Sequence, residues 1–197
     1  GSAHGVRLYR PLLENLRDQK DASLIAEQAR QDLAGLPVMA AINRWGHHEA
    51  LLAVKLAVEN EGLKTPAELH RLGVSQCSAY NQKFCQLLLQ EQKALGPEQA
   101  RAAEIGLELM GELKSSTTRQ KLWELCTRST AQAQDREQVY ATLLRDVDRS
   151  RADQDAQLLA GKLRPMLAST PVLQALDRWQ LGLDEPALIR LAVDNRN

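Results

Sequence analysis

A pattern of 22 residues occurs twice in the chain and decides the fold. Residues 24–45 read LIAEQARQDLAGLPVMAAINRW, and residues 158–179 read LLAGKLRPMLASTPVLQALDRW. The second stretch follows the first at an offset of 134 positions, both for its matching proline and for its final tryptophan. A match of this length at a constant offset indicates an internal structural repeat.

The similarity extends to both sides of the two stretches. Upstream, a tyrosine and two leucines recur with the same relative spacing, and downstream LAVEN at 56–60 matches LAVDN at 191–195. Within each copy the apolar residues recur at helical spacing and polar residues fill the gaps. The sequence therefore predicts two related units of about four helices each, over about residues 9–60 and 140–195.

The rest of the chain is also expected to be helical. Aromatic residues make up only 4% of it, strong helix formers dominate, and no segment shows the alternating pattern of a strand. We predict an all-α fold of about ten to twelve helices, either a multi-helical bundle or a short helical-repeat array. Residues 1–8 are expected to be a tag or a disordered start. Residues 61–139 form a central helical segment between units 9–60 and 140–197, in one compact domain.

The balance of charges restricts the classes of partner. Lys and Arg number 25 and Asp and Glu number 25, so the formal net charge is zero. Dedicated nucleic-acid binders and membrane-surface modules are usually clearly basic. No apolar run is long enough to cross a bilayer. We therefore expect a protein partner rather than nucleic acid or membrane.

An arginine and a tryptophan close the matching helix in each copy, as Arg44-Trp45 and Arg178-Trp179. A tryptophan at a helix end, in phase with smaller apolar residues, is predicted to fill the core between helices. The alternative is that these four residues form an interface, since Trp and Arg are enriched there. The Arg-Trp pairs resemble the tryptophan-bearing helical repeats of some bacterial type III effectors. That resemblance, limited to these residues, implies a segment of a larger, secreted bacterial protein.

The segment 65–84, TPAELHRLGVSQCSAYNQKF, contains a second pattern. Thr65, Pro66 and Glu68 have the spacing of a helix-capping box. The LGVS turn that follows resembles the turn of helix-turn-helix and helix-hairpin-helix modules, and predicts a break at Gly73 with Ser75 capping a new helix. Nucleic-acid binding through this segment is the alternative function. Its candidate contact residues are Arg71, Gln76, Ser78, Asn81 and Lys83.

Three cysteines are present, without a CxxC motif. Cys77 and Cys85 are eight residues apart on one predicted helix, where they cannot pair, so we expect no disulfide. A reducing compartment follows, either the cytoplasm or a host cytosol if the protein is a secreted effector. Cys77, at the start of a predicted helix, and Cys126, in an apolar helix face, are candidate reactive thiols. A thiol-dependent transferase is the third functional hypothesis.

No other pattern indicates catalysis. His47 and His48 are adjacent and point in different directions on a helix, so they do not form a chelating pair. The motifs HExxH, GxxxxGK[ST], GxGxxG and GxSxG are absent from the sequence. We predict no catalytic residue, no metal site and no cofactor. The preferred hypothesis is a helical protein–protein interaction domain.

Overall fold

Twelve helices, and no strand, form the part of the chain that the structure describes. The structure is a computed structural model that describes residues 2–15, 19–47, 49–77, 81–147 and 153–196. The prediction of an all-α fold is confirmed. The helices are α1 Ser2–Asn15, α2 Gln19–Asp32, α3 Pro37–Arg44, α4 Ala50–Glu59, α5 Pro66–Gln76, α6 Gln82–Gln92, α7 Pro97–Met110, α8 Ser116–Thr127, α9 Arg136–Asp146, α10 Asp153–Leu167, α11 Pro171–Trp179 and α12 Glu185–Asp194.

The helices divide into two compact units, Gly1–Cys77 and Ser78–Asn197. The division predicted from the sequence, a central segment over 61–139 within one compact domain, has other boundaries and stays a prediction. Helix α5 belongs to the first unit because it packs on α3. Helices α6, α7 and α8 belong to the second unit, where α6 packs on α7, α7 on α8 and α8 on α9.

The chain is helical from its second residue. Helix α1 begins at Ser2, and Val6 and Tyr9, three positions apart, are both buried. Residues with this spacing lie on one face of a helix, and here α1 packs on both α2 and α4. The tag or disordered start expected over residues 1–8 overlaps the beginning of α1, and this expectation stays a prediction.

In the first unit, α2 and α4 form the principal helix pair, α1 contacts both of them, and α3 contacts α4 and α5. The centre of this unit is filled by fully buried aliphatic side chains and alanines. They include Ala26, Leu33, Met39, Ile42 and Val54. Alanines on α2 and α4 allow the two helices to approach closely, which suits a four-helix arrangement with few aromatics.

In the second unit, α10 packs on α9 and α12, and α12 also contacts α9 and α11. A buried carboxylate joins this group to α8. The side chain of Asp155 on α10 accepts hydrogen bonds from the backbone N–H groups of Lys114 (2.7 Å) and Ser115 (2.9 Å). Ser115 is the N-cap of α8, so Asp155 fixes the position at which α8 begins.

The helices of the two predicted copies pack in the same pairs. The pairs of α2 with α4, α3 with α4, and α1 with α2 and α4 correspond to those of α10 with α12, α11 with α12, and α9 with α10 and α12. A side-chain hydrogen bond also recurs: Arg30 donates to Asn43 (2.7 Å), and Arg164, 134 positions later, donates to Asp177 (2.7 Å). The common origin of the two segments stays a prediction from the sequence.

Candidate interaction site

The two matching tryptophans have opposite environments. Trp45 is 5% exposed, as expected of a residue that fills the core. Trp179 is 66% exposed, so the prediction of a core position is wrong for this residue. The preceding residues, Arg44 and Arg178, are exposed in both copies. Of the four candidate interface residues, Trp45 alone is buried.

The difference extends along one face of the helix that each tryptophan closes. In the first copy Val38, Ala41 and Trp45 share a face of α3 at helical spacing, and all three are buried. Their counterparts on α11 are half-buried Val172 and Ala175 and exposed Trp179. The positions immediately beside this face do not differ, since they are buried in both copies. Those are Met39 and Ile42 on α3, and Leu173 and Leu176 on α11.

The neighbouring helices explain this difference. Helix α3 packs on both α4 and α5. Helix α11 has α12 as its principal neighbour, and within the residues described no second helix packs on it as α5 packs on α3. The local sequences of α3 and α11 are alike, so the difference in exposure accompanies a difference in tertiary packing.

Two more apolar side chains that follow Trp179 in the sequence are also exposed. Leu181 and Leu183, between α11 and α12, are 48% and 43% exposed. Positive φ angles at Gln180 (48°) and Gly182 (68°) turn the chain between the two helices. We call the surface formed by Val172, Ala175, Trp179, Leu181 and Leu183 the Trp179 face.

Arg178 is the exposed cation next to Trp179 in the sequence. Arg164 binds both acidic neighbours, Glu185 (3.0 and 3.1 Å) and Asp177 (2.7 Å), and the hydrogen bond to Asp177 raises the pKa of Arg164. Asp184 accepts the backbone N–H of Ala187 at the start of α12. Arg178 donates its Nε–H to a carbonyl of its own helix and has no ion-pair partner among the described residues. Asp177, Glu185 and Asp184 therefore carry three negative charges against the two positive charges of Arg164 and Arg178, and the rim of the face is not net positive.

A second uncovered apolar face occurs in the first copy. Leu8 and Leu12 on α1 are 58% and 39% exposed, whereas their counterparts Val139 and Leu143 on α9 are buried. Helix α8 packs on α9. Each copy thus has one exposed apolar helix face, on α1 in the first and on α11 in the second. The corresponding helices, α9 and α3, each pack on a helix from 61–139, α8 and α5 respectively.

The structure corrects the helix-turn-helix interpretation. Thr65 and Glu68 form the predicted capping box. Helix α5, however, continues through Gly73 to Gln76, and the Ser75 hydroxyl donates to the Leu72 carbonyl of the same helix instead of capping a new one. A glycine inside a helix costs about 1 kcal/mol, which the burial of its neighbours offsets.

The five candidate nucleic-acid contacts do not lie on one recognition helix. Arg71 and Gln76 are exposed on α5, and Lys83 is exposed on α6. The Asn81 side chain accepts the backbone N–H of Phe84 as the N-cap of α6. Ser78 lies outside the described residues. No structural observation supports nucleic-acid binding by this segment.

The cysteine predictions change for Cys77. Cys77 and Cys85 form a disulfide, and Cys126 is the free thiol among the three. Cys77 ends α5 in an extended conformation and α6 begins only at Gln82, so the two cysteines are not on one helix. The expectation that Cys77 and Cys85 cannot form a disulfide is therefore wrong, and Cys77 is not a reactive thiol. The disulfide also removes the argument for a reducing compartment.

Cys126 is buried and chemically protected. Desolvation raises the pKa of its thiol to about 12, which keeps it protonated at neutral pH. A catalytic cysteine requires the opposite shift, from a nearby cation, a helix N-terminus or a paired histidine. The environment of Cys126 therefore supplies no support for a thiol-dependent transferase.

The described residues contain no group of three or more histidine, cysteine or acidic side chains arranged to hold a metal ion. His48 lies outside them, and the carbonyl of His47 accepts a hydrogen bond from Arg30 (2.8 Å). None of the described helices has the length and apolar content to cross a membrane. Comparisons with protein-family models, with curated proteins and with solved structures find no match.

Proposed function

We propose that the protein is a helical protein–protein interaction module that binds a partner through the Trp179 face. The exposure of Trp179 carries the proposal. An exposed tryptophan with two exposed leucines beside it is the kind of apolar surface that folded proteins keep for a partner. Arg178 on the rim adds a residue type that is enriched at binding hot spots.

The contrast with the other tryptophans supports a role for this surface in binding. Trp45 and Trp123 are both buried, so the fold has places for large aromatic side chains and uses them. Val172 and Ala175 precede Trp179 at the positions where Val38 and Ala41 precede the buried Trp45, yet the ring of Trp179 faces solvent. Covering that ring would remove a large apolar area from water, which is the main favourable term in protein association.

Site-specific photo-cross-linking tests the proposal. A photoreactive amino acid replaces Leu181 in the full chain, or Gln157 as a matched exposed position on α10, and each protein is irradiated in an extract of the producing cell. We expect a discrete adduct from position 181 only. Excess unlabelled wild-type protein should compete the adduct away, and the Trp179→Ala protein should not.

Identical adducts from both positions, or equal competition by the wild type and the Trp179→Ala protein, would contradict binding through this face. Equal competition is informative because the substitution removes an exposed side chain and leaves the helix that carries it intact.

A further inference from the structure

We infer that the disulfide between Cys77 and Cys85 is a thiol-exchange site, at which a small external thiol attacks Sγ of Cys77 and becomes bound to it. The two bonded cysteines differ in access. Cys77 is half-buried, whereas Cys85 is 0% exposed. As one half of a disulfide, Sγ of Cys77 is an electrophile, so the reaction does not require a free thiol there. An external thiolate can reach Cys77, whereas the side chain of Cys85 is closed to it.

The backbone around each cysteine explains this difference in access. Cys77 is the C-cap of α5. Its N–H donates to the carbonyl of Gly73 (2.9 Å), but its own φ and ψ angles (−74° and 133°) are extended, so the helix stops there. Cys85 is the fourth residue of α6, where Phe84 and Leu88 are buried as well. The disulfide thus joins a partly exposed helix end to a side chain of the core.

The exchange requires no further oxidant, because the disulfide itself is the oxidant. The thiolate forms a new S–S bond to Cys77, the bond to Cys85 breaks, and Cys85 leaves as a thiolate that takes up a proton. The sulfur of the external thiol is oxidised and that of Cys85 is reduced. The position of Cys85 in the first part of α6 favours its departure, since a helix N-terminus stabilises a thiolate.

The product of the exchange suits the fold at Cys85 and changes it at Cys77. A protonated thiol at Cys85 is a small apolar side chain in a core that already holds the buried free thiol of Cys126. A disulfide keeps the two Cα atoms within about 7 Å of each other, and exchange removes this limit. The covalent tie between the end of α5 and α6 therefore depends on the thiols around the protein.

Peptide mapping of the native protein after incubation with reduced glutathione tests the inference. The reaction is stopped with acid at early times, and mass spectrometry locates the adduct. We expect glutathione on Cys77 in roughly tenfold excess over Cys85, at a rate proportional to the glutathione concentration. An adduct found mainly on Cys85, or equally on both cysteines, would overturn the inference. A rate independent of the glutathione concentration would also overturn it, because the reaction would then follow unfolding.

Two single substitutions form a matched pair for the difference in access. Cys85→Ser leaves Cys77 as a free thiol, and Cys77→Ser leaves Cys85 as a free thiol. Iodoacetamide should label Cys77 in the first variant roughly tenfold faster than Cys85 in the second, with Cys126 unlabelled in both as the internal control. Equal rates in two variants that circular dichroism shows to be folded would contradict the inference. If either variant does not fold, the adduct map of the wild-type protein decides alone.

Discussion

Alanine substitutions of the two matching tryptophans should differ strongly in their effect on stability. Trp45 is 5% exposed, so it buries nearly all of a side chain that offers roughly 250 Å², worth about 6 kcal/mol as an upper bound. Measured losses for Trp→Ala in a core are about 3–5 kcal/mol. We expect Trp45→Ala to fall in that range.

Trp179→Ala should cost far less. The side chain is 66% exposed, which leaves roughly 85 Å² buried and an upper bound of about 2 kcal/mol. The better helix propensity of alanine offsets about 0.5 kcal/mol of this loss. The expected net cost is about 1 kcal/mol, so the two variants should differ by about 3 kcal/mol.

Urea unfolding followed by far-UV circular dichroism measures both losses, because the helical backbone dominates that signal. Phenylalanine at each position keeps an aromatic ring and is the control for a smaller loss of volume. Equal destabilisation by Trp45→Ala and Trp179→Ala would refute the reasoning, since it would place both rings in a core.

Three further predictions concern the remaining features of the fold. Without reductant, a thiol-reactive probe should label no cysteine in the native protein and only Cys126 after unfolding, and mass spectrometry would identify the labelled residue. Rapid labelling of Cys126 in the native protein would contradict its burial and its raised pKa. Asp155→Ala should lower the free energy of unfolding by about 2–4 kcal/mol because two backbone N–H groups lose a charged acceptor, and Asp155→Asn should cost less. If denaturant unfolding of Asp155→Ala shows a loss under about 0.5 kcal/mol, these two hydrogen bonds do not stabilise the fold. The backbone N–H groups of Thr65 and Lys64 lower the pKa of Glu68 from 4.5 to about 2, so the contribution of Glu68 to stability is complete above about pH 4.5 and is lost as the pH falls towards 2. Glu68→Gln should flatten that part of the pH–stability curve, and an unchanged curve would count against the capping box.

Helix positions and most caps could be predicted from the sequence because their causes are local. The spacing of apolar residues predicted the helices, and the capping box at Thr65 and the cap at Asp135 follow from side chains three or fewer residues away. The burial of Cys126 followed equally from its apolar helix face.

The candidate site could not be predicted because its cause is not local. Trp45 and Trp179 have nearly the same sequence neighbours, but α5 packs on α3 and no described helix packs on α11 in the same way. The disulfide was missed for a related reason: a single helix was predicted across Cys77 and Cys85, whereas α5 ends before the second cysteine. The difference in exposure between Trp45 and Trp179 depends on tertiary packing and therefore has no signal in the local sequence.

Hydroxyl-radical footprinting of the intact chain tests most directly the central claim that one copy covers its tryptophan face and the other leaves it open. Mass spectrometry would compare the oxidation rates of Trp45 and Trp179 in the same native sample, so that both residues receive the same dose. Exposed fractions of 5% and 66% predict a rate roughly tenfold higher for Trp179. Equal rates for the two tryptophans would contradict the account, because the Trp179 face would then be covered within the protein itself.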